Sequence, residues 1–262
     1  MRDIVNSDRN VVNPAENWIK PDWPVPTHVC SLVTTRFGGT SHMPYSSMNL
    51  AQHVSDSESA VAENRAILAC ALKLPESGFC WLQQVHSNKV VRATLKSLEV
   101  DADASFTDQN NQVCVVMTAD CLPVLLCNES GSMVAAVHAG WRGLANGILF
   151  NALEKFSKTE AVLAWLGPAI GVQHFEVGDE VRQTFCRQSA ENVQAFYSSQ
   201  RAGKWYADIY QLARTQLEAL GVSDIYGGDF CTYADAERFY SYRRDGMHSG
   251  RMASMIWLQS DS

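Results

Sequence analysis

The chain has 262 residues, of which 46% are hydrophobic and 19% charged, and its formal net charge is −7. That length fits one large domain or two small ones around a substantial core. The acidic balance excludes a broad nucleic-acid footprint, and no apolar run approaches the roughly 20 residues that span a bilayer.

Residues 1–28, with Pro14, Pro21, Pro24 and Pro26, read as an extended lead-in, and 29–262 as a single domain. The apolar run 29–35 predicts a strand, closed by the turn at Arg36-Phe37-Gly38-Gly39. Asp56 or Ser57 caps a helix predicted over 58–73, where Val61, Leu68 and Leu72 recur at helical spacing. The middle is strand-rich: 79–91, 113–118, 122–127 and 132–139 are short, apolar and bounded by polar turns. Gly140-Trp141-Arg142-Gly143 then opens a helix predicted over 144–157. A glycine-flanked strand-to-helix turn presents free backbone amides suited to an anion, and equally meets a purely conformational need for glycine. Beyond 162–171, helices are expected over 178–188 and 208–220, and a last strand over 252–258. Strands and helices that mix without regular alternation predict an α+β fold rather than a doubly wound sheet.

The opening MRDIVNSDRN lacks the apolar core of a signal peptide, so a cytoplasmic protein with reduced thiols is expected. Its eight cysteines include no Cys-x-x-Cys pair, which argues against a structural zinc ribbon. Cys70, Cys114 and Cys127 sit in apolar runs and read as packing.

Three other side chains carry chemistry. His86 ends WLQQVH, Cys121 ends TADC, and His138 opens HAGWRG. Two imidazoles and a thiol suit zinc and leave a fourth position open, which separates catalytic sites from structural ones. The spacings match no finger pattern. From spacing alone, three ligands drawn from separate strands and three unrelated core residues look the same.

The words TTRFGG (34–39), MNLAQHV (48–54), WLQQVH (81–86), TADC (118–121), HAGWRG (138–143), LGPAIG (166–171), FEVG (175–178) and SYRRDG (241–246) occur in this order. Over residues 29–258 the chain resembles the bacterial YfiH-type family. That family was first labelled laccase or multicopper polyphenol oxidase and later described as purine nucleoside phosphorylases. The resemblance implies a single α/β/β/α layered domain with zinc on His86, Cys121 and His138. It also implies phosphorolysis of adenosine, inosine, guanosine or methylthioadenosine, with adenosine deamination as a side activity. Purine nucleoside and phosphate are then the expected partners. Ala51, Gln173-His174 and His248-Ser249 depart from common family residues, and none of them touches the implied ligands.

Phosphorolysis needs cations to hold phosphate beside the anomeric carbon, and Arg does this bidentately. Arg36, Arg142, Arg243 and Arg244 fall in the words quoted above, and Arg65 falls in the further matching word NR (64–65). Arg142, four positions past His138, is the expected catalytic arginine, and Arg36, Arg243 and Arg244 are expected substrate contacts. Deamination needs a proton shuttle. Nucleobase deaminases carry a Glu two residues after the His ligand; here Asn88 stands there, and Asp120 is the shuttle expected instead. Gln84 is two residues from His86, so on a strand both would face one way. Gln84 and Asn49 complete the expected substrate contacts, and His53 is either a nearby base or a solvent-exposed loop residue.

Three alternatives use the same residues. A laccase-like polyphenol oxidase would need many imidazoles for several coppers, and the seven histidines include no pair separated by one residue. Copper can still occupy the Cys/His donors in vitro. A cysteine hydrolase would use Cys121 as nucleophile with a His base. A zinc-stabilised domain with no catalysis would use the trio for folding alone.

Overall fold

The computed structural model describes residues 14–94 and 100–260. Residues 1–13 of the expected lead-in and 261–262 at the far end lie outside it. The strands alternate in which core they feed, and that alternation builds the layers. In β7 (Val113–Thr118), Val113, Val115 and Met117 join one core while Cys114 and Val116 join another. In β8 (Leu122–Asn128) and β9 (Val134–Ala139) the same two-residue period sends Leu125, Cys127, Val134 and Ala136 to the shared inner core. Leu122, Val124, Leu126, Ala135 and Val137 face the opposite way. Strands covered on both faces carry apolar residues throughout, which is why these segments read as continuous hydrophobic runs.

Two main sheets result. One has the order β1-β15-β7-β2, with β1 (Val29–Val33), β2 (Phe79–Cys80) and β15 (Met252–Leu258). The other has the order β14-β10-β8-β9-β6-β4, with β4 (Val90–Arg92), β6 (Ala104–Thr107), β10 (Val162–Leu166) and β14 (Asp224–Gly227). Helix α1 (Glu58–Leu72) covers the outer face of the first sheet through Leu68 and Ala69. Helices α2 (Trp141–Ala145), α3 (Ile148–Leu153), α4 (Asp179–Gln188) and α5 (Ile209–Ala219) cover the second. The layering is α/β/β/α in a mixed α+β fold. Each Leu or Val fully buried between layers contributes roughly 1.5–3 kcal/mol relative to exposure. Two short pairings complete the sheets: β3 (Leu82–Gln83) with β5 (Val100–Asp101), and β11 (Glu176–Gly178) and β12 (Phe196–Ser198) on β13 (Lys204–Ala207). A one-turn helix, α6 (Tyr242–Asp245), precedes β15.

Several local expectations change. The strand expected over 79–91 is broken into β2, β3 and β4, and residues 84–89 form a loop. Its backbone is held by side chains instead of a ladder. Gln84 exchanges two hydrogen bonds with the Met117 backbone, at 2.8 and 2.7 Å. The helix expected over 144–157 starts earlier and splits into α2 and α3 at Gly147, whose φ of 81° is left-handed and costly for any other residue. Of the lead-in, residues 14–17 form a 3-10 turn, and Trp18 and Trp23 are buried in the domain's cores.

Candidate metal centre

The spacing of 17 between Cys121 and His138 is explained by a hairpin. Strands β8 and β9 pair antiparallel with Leu122 opposite Ala139 and Pro123 opposite His138. The start of one strand therefore meets the end of the other, and Cys121 and His138 arrive at one edge of the sandwich. Within β9 the two-residue period gives His138 the inner-core face of Val134 and Ala136. His86 comes from the 84–89 loop with φ at 58°, a left-handed conformation uncommon for a non-glycine residue.

The three ligand atoms lie within 4.8 Å of one another. Cys121 Sγ is 3.8 Å from His86 Nε2, and the two imidazoles stand edge to face with centroids 4.9 Å apart. Zinc bound tetrahedrally at ordinary Zn–S and Zn–N lengths would hold such atoms about 3.3–3.6 Å apart. The trio fits to within about 1.5 Å, and its soft thiolate and borderline imidazoles are donors that zinc prefers. Gly140 has a steric reason to be glycine here: a Cβ would lie 3.0 Å from Cys121 Sγ and 3.2 Å from His86 Cδ2.

Asp103, which the sequence reading passed over, organises both imidazoles. It is fully buried and sits beside His138 across the β6–β9 ladder. Its Oδ1 accepts from His138 Nδ1 at 2.8 Å and from the His86 backbone N–H at 2.9 Å. Its Oδ2 accepts from the Ser87 backbone N–H and hydroxyl, at 2.5 and 2.7 Å. With Nδ1–H committed to the carboxylate, His138 presents Nε2 toward a metal. Burial alone would raise the Asp103 pKa, but the bonds from His138 and Ser87 outweigh it and bring it down to about 2. Burial opposes ionisation of Cys121 as well, yet the neighbouring His138 and His86 lower its thiol to about 6. His138 is pulled down by burial and more strongly up by the Cys121 thiolate and Asp103, to about 9. Each of the two thus favours the charged form of the other.

The trio opens into a cavity of ≈ 530 Å³, lined among others by Gln84, Asp120, Trp141, Arg142, Phe175 and Arg243. Of the expected site residues, the structure brings these polar ones to the trio and leaves three away from it. Arg36 donates to the carbonyls of Ser46 and Ala236 and borders a separate surface groove. Buried Asn49 holds its own loop through Ala51 and accepts the Arg251 backbone N–H. Arg244 donates to the carbonyls of Thr232, Tyr233 and Phe239. The donors of these three are taken up away from the cavity by backbone carbonyls and, for Asn49 and Arg244, also by the carboxylates of Asp56 and Asp245. Arg65 stacks over Trp81, 4.0 Å from the ring centroid. Gln84 does line the cavity, although not as a strand neighbour of His86. His53 also lines it, from an exposed position.

Asp120 is the one carboxylate among the described lining residues. It has a left-handed φ of 90°, and both of its oxygens are engaged. Oδ1 accepts from the Thr232 hydroxyl and Oδ2 from the Arg243 backbone N–H, each at 2.6 Å. Asn88, in the place where a nucleobase deaminase carries Glu, ties its amide to the Asn146 carbonyl at the end of α2. Tyr242 and Arg251 also line the cavity and were not singled out from sequence.

Residues 30–259 match the multi-copper polyphenol oxidoreductase laccase family. The chain belongs to this family, in its YfiH-type branch. It is 49% identical over 243 residues to a purine nucleoside phosphorylase of Pseudomonas aeruginosa, covering 92% of this chain and 98% of the relative. It is 50% identical over 242 residues to the purine nucleoside phosphorylase YfiH of Escherichia coli, with the same coverage. Among solved structures, a Neisseria meningitidis protein superposes with a TM-score of 0.87 at 47% identity, covering 93% of this chain and all of that one. YlmD from Geobacillus stearothermophilus superposes with a TM-score of 0.85 at 29% identity, covering 93% and 96%. No helix among the described residues is long and apolar enough to cross a membrane.

Proposed function

We propose that this YfiH-type protein is a zinc-dependent, cytoplasmic purine nucleoside phosphorylase with adenosine deamination as a second activity. The observation that carries the reading is the convergence of His86, Cys121 and His138 on one cavity that is aromatic and cationic together. Trp141, Phe175 and Tyr242 offer flat apolar faces to a purine, and Arg142 and Arg243 offer guanidinium groups to phosphate. The relatives named as purine nucleoside phosphorylases support the same substrate class.

His86, Cys121 and His138 would hold the zinc, which would supply a Lewis acid of net charge near +1. In phosphorolysis a phosphate oxygen forms the bond to C1′ while the C1′–N9 bond breaks. The electron pair leaves with the purine, which takes up a proton. The transition state is oxocarbenium-like, so the chain's work is to position the anion and exclude water. Arg243 is prepared for this: its Nη1 is fixed by the carbonyls of His174 and Glu176, at 3.3 and 3.0 Å. Asp120 is the carboxylate available for proton transfer in deamination, and Thr232 and Arg243 fix its orientation. Among the described residues the trio is the one cluster of metal-grade donors, which does not supply the further ligands a multicopper oxidase requires.

Incubating the zinc-loaded protein with adenosine, with and without phosphate, and separating the products by chromatography tests the proposal. Adenine that forms only with phosphate is expected, with inosine in both samples. No product from any purine nucleoside would reject it. Cys121 Sγ lies 3.8 Å from His86 Nε2 and its pKa is lowered by His138, which favours a second reading, a cysteine hydrolase. Activity that survives zinc removal and is abolished by alkylating Cys121 would favour that reading.

A further inference from the structure

Three arginines line the cavity, and they differ in how they are held. Arg142 and Arg243 are exposed, and Arg251 is half-buried. Arg251 immediately precedes β15, and its backbone N–H donates to Asn49 Oδ1 at 3.0 Å. Its Nη1 donates to the carbonyls of Ser249 and Gly250, at 2.6 and 3.0 Å, and its guanidinium lies 5.9 Å from the Tyr242 ring centroid. One edge of the fork is thereby fixed by backbone. The group has no ion pair with a carboxylate among the described residues. The one lining carboxylate, Asp120, already accepts from Thr232 and from the Arg243 backbone.

A cation withdrawn from water with no carboxylate at ion-pair distance is costly, and an arriving anion offsets that cost. Burial accordingly pulls the Arg251 pKa below the ordinary arginine value, against opposing attraction from Cys121 and Asp120. Guanidinium also presents paired N–H groups that match two oxygens of one phosphate, and a fork already fixed along one edge loses little freedom when it binds.

We propose that Arg251 is the principal phosphate-holding residue of this cavity, with the exposed Arg142 and Arg243 assisting from the mouth. This rests on the phosphorylase reading and assigns the anion to one side chain within it. Arg251 positions the phosphate, and it gains and loses no proton during bond exchange.

The test uses zinc-loaded wild-type protein, Arg251→Met and Arg251→Lys, with zinc content and thermal melting checked for each. Titration calorimetry measures inorganic phosphate binding directly, and steady-state kinetics give KM for phosphate and for adenosine. Losing two charge-assisted hydrogen bonds predicts phosphate binding weaker by about 100–10,000-fold in Arg251→Met. The KM for adenosine is expected to change less than about twofold, and Lys, which keeps the charge without the fork, falls in between. If Arg251→Met fails to fold, the Lys variant alone still has to show the selective loss of phosphate. Unchanged phosphate affinity in a folded variant, or equal shifts in both KM values, would assign Arg251 to the 249–250 loop alone and overturn the proposal. Wild-type protein that binds no phosphate would overturn it too. Wild-type protein that binds phosphate through Arg251 but leaves adenosine intact would sustain the proposal and reject the phosphorylase reading.

Discussion

Replacing Asp103 by Asn tests whether one buried carboxylate organises the metal centre. The substitution keeps shape and removes charge. Asn has one amide oxygen where Asp103 uses two, and four donors within 2.9 Å compete for it: His138 Nδ1, the His86 N–H, the Ser87 N–H and the Ser87 hydroxyl. If the oxygen faces His138 and His86, the new NH₂ faces the Ser87 N–H, and a buried donor is left unpaired. That costs about 1–3 kcal/mol, before the weakening of the remaining bonds is counted. The pKa gives a second estimate. A fall from the ordinary 3.8 to about 2 corresponds to about 2 kcal/mol of stability. Because the folded value is the lower one, this stability is present above pH about 4 and is lost as the pH falls through about 2. Both routes predict that metal-free Asp103→Asn is less stable by about 2 kcal/mol near neutral pH in urea melts. Removing a carboxylate that orients ligating His also lowers metal affinity by about 10–100-fold, measurable by competition with a chromophoric chelator. An Asp103→Asn protein with wild-type zinc affinity and wild-type urea midpoint would refute this account.

Gly140→Ala is predicted to keep the fold, as seen by circular dichroism, and to weaken zinc binding by roughly tenfold, because its methyl presses on Cys121 and His86. Wild-type affinity in that variant would show that the ligands relax freely. In metal-free protein, alkylation of Cys121 by iodoacetamide should rise through a midpoint near pH 6, since the thiolate forms above about 6 rather than 9. A midpoint above pH 8 would mean that His138 does not stabilise the thiolate. Arg36→Met should lower the melting temperature by a few degrees through two lost carbonyl bonds and leave both KM values unchanged. A raised phosphate KM there would return Arg36 to the site.

Pattern in the chain was enough for the strands β7, β8, β9 and β15 and for helices α1, α4 and α5, because their two-residue or helical periodicity and flanking turns are local properties. The residue types of His86, Cys121 and His138 also announced metal chemistry without a structure. Tertiary structure decided the rest. The hairpin that pairs Cys121 with His138 is a finding of the structure: residue 122 lies opposite 139, but a spacing of 17 by itself does not tell a pair of ligands from unrelated core residues. A loop held by the side chains of Gln84 and Asp103 replaces the strand expected around His86, and no periodicity records a side chain that substitutes for a ladder. Asp103 stayed hidden because an acidic residue in a short polar word reads as a turn until a neighbouring strand places an imidazole against it. The arginines illustrate the same division. Their number and kind are written in the chain, but whether a guanidinium is consumed by backbone carbonyls, as in Arg36 and Arg244, or left facing the cavity depends on which distant segments fold beside it. Local order follows from nearest neighbours along the polypeptide, whereas a site is a meeting of segments whose contacts exist only after the sheets have closed.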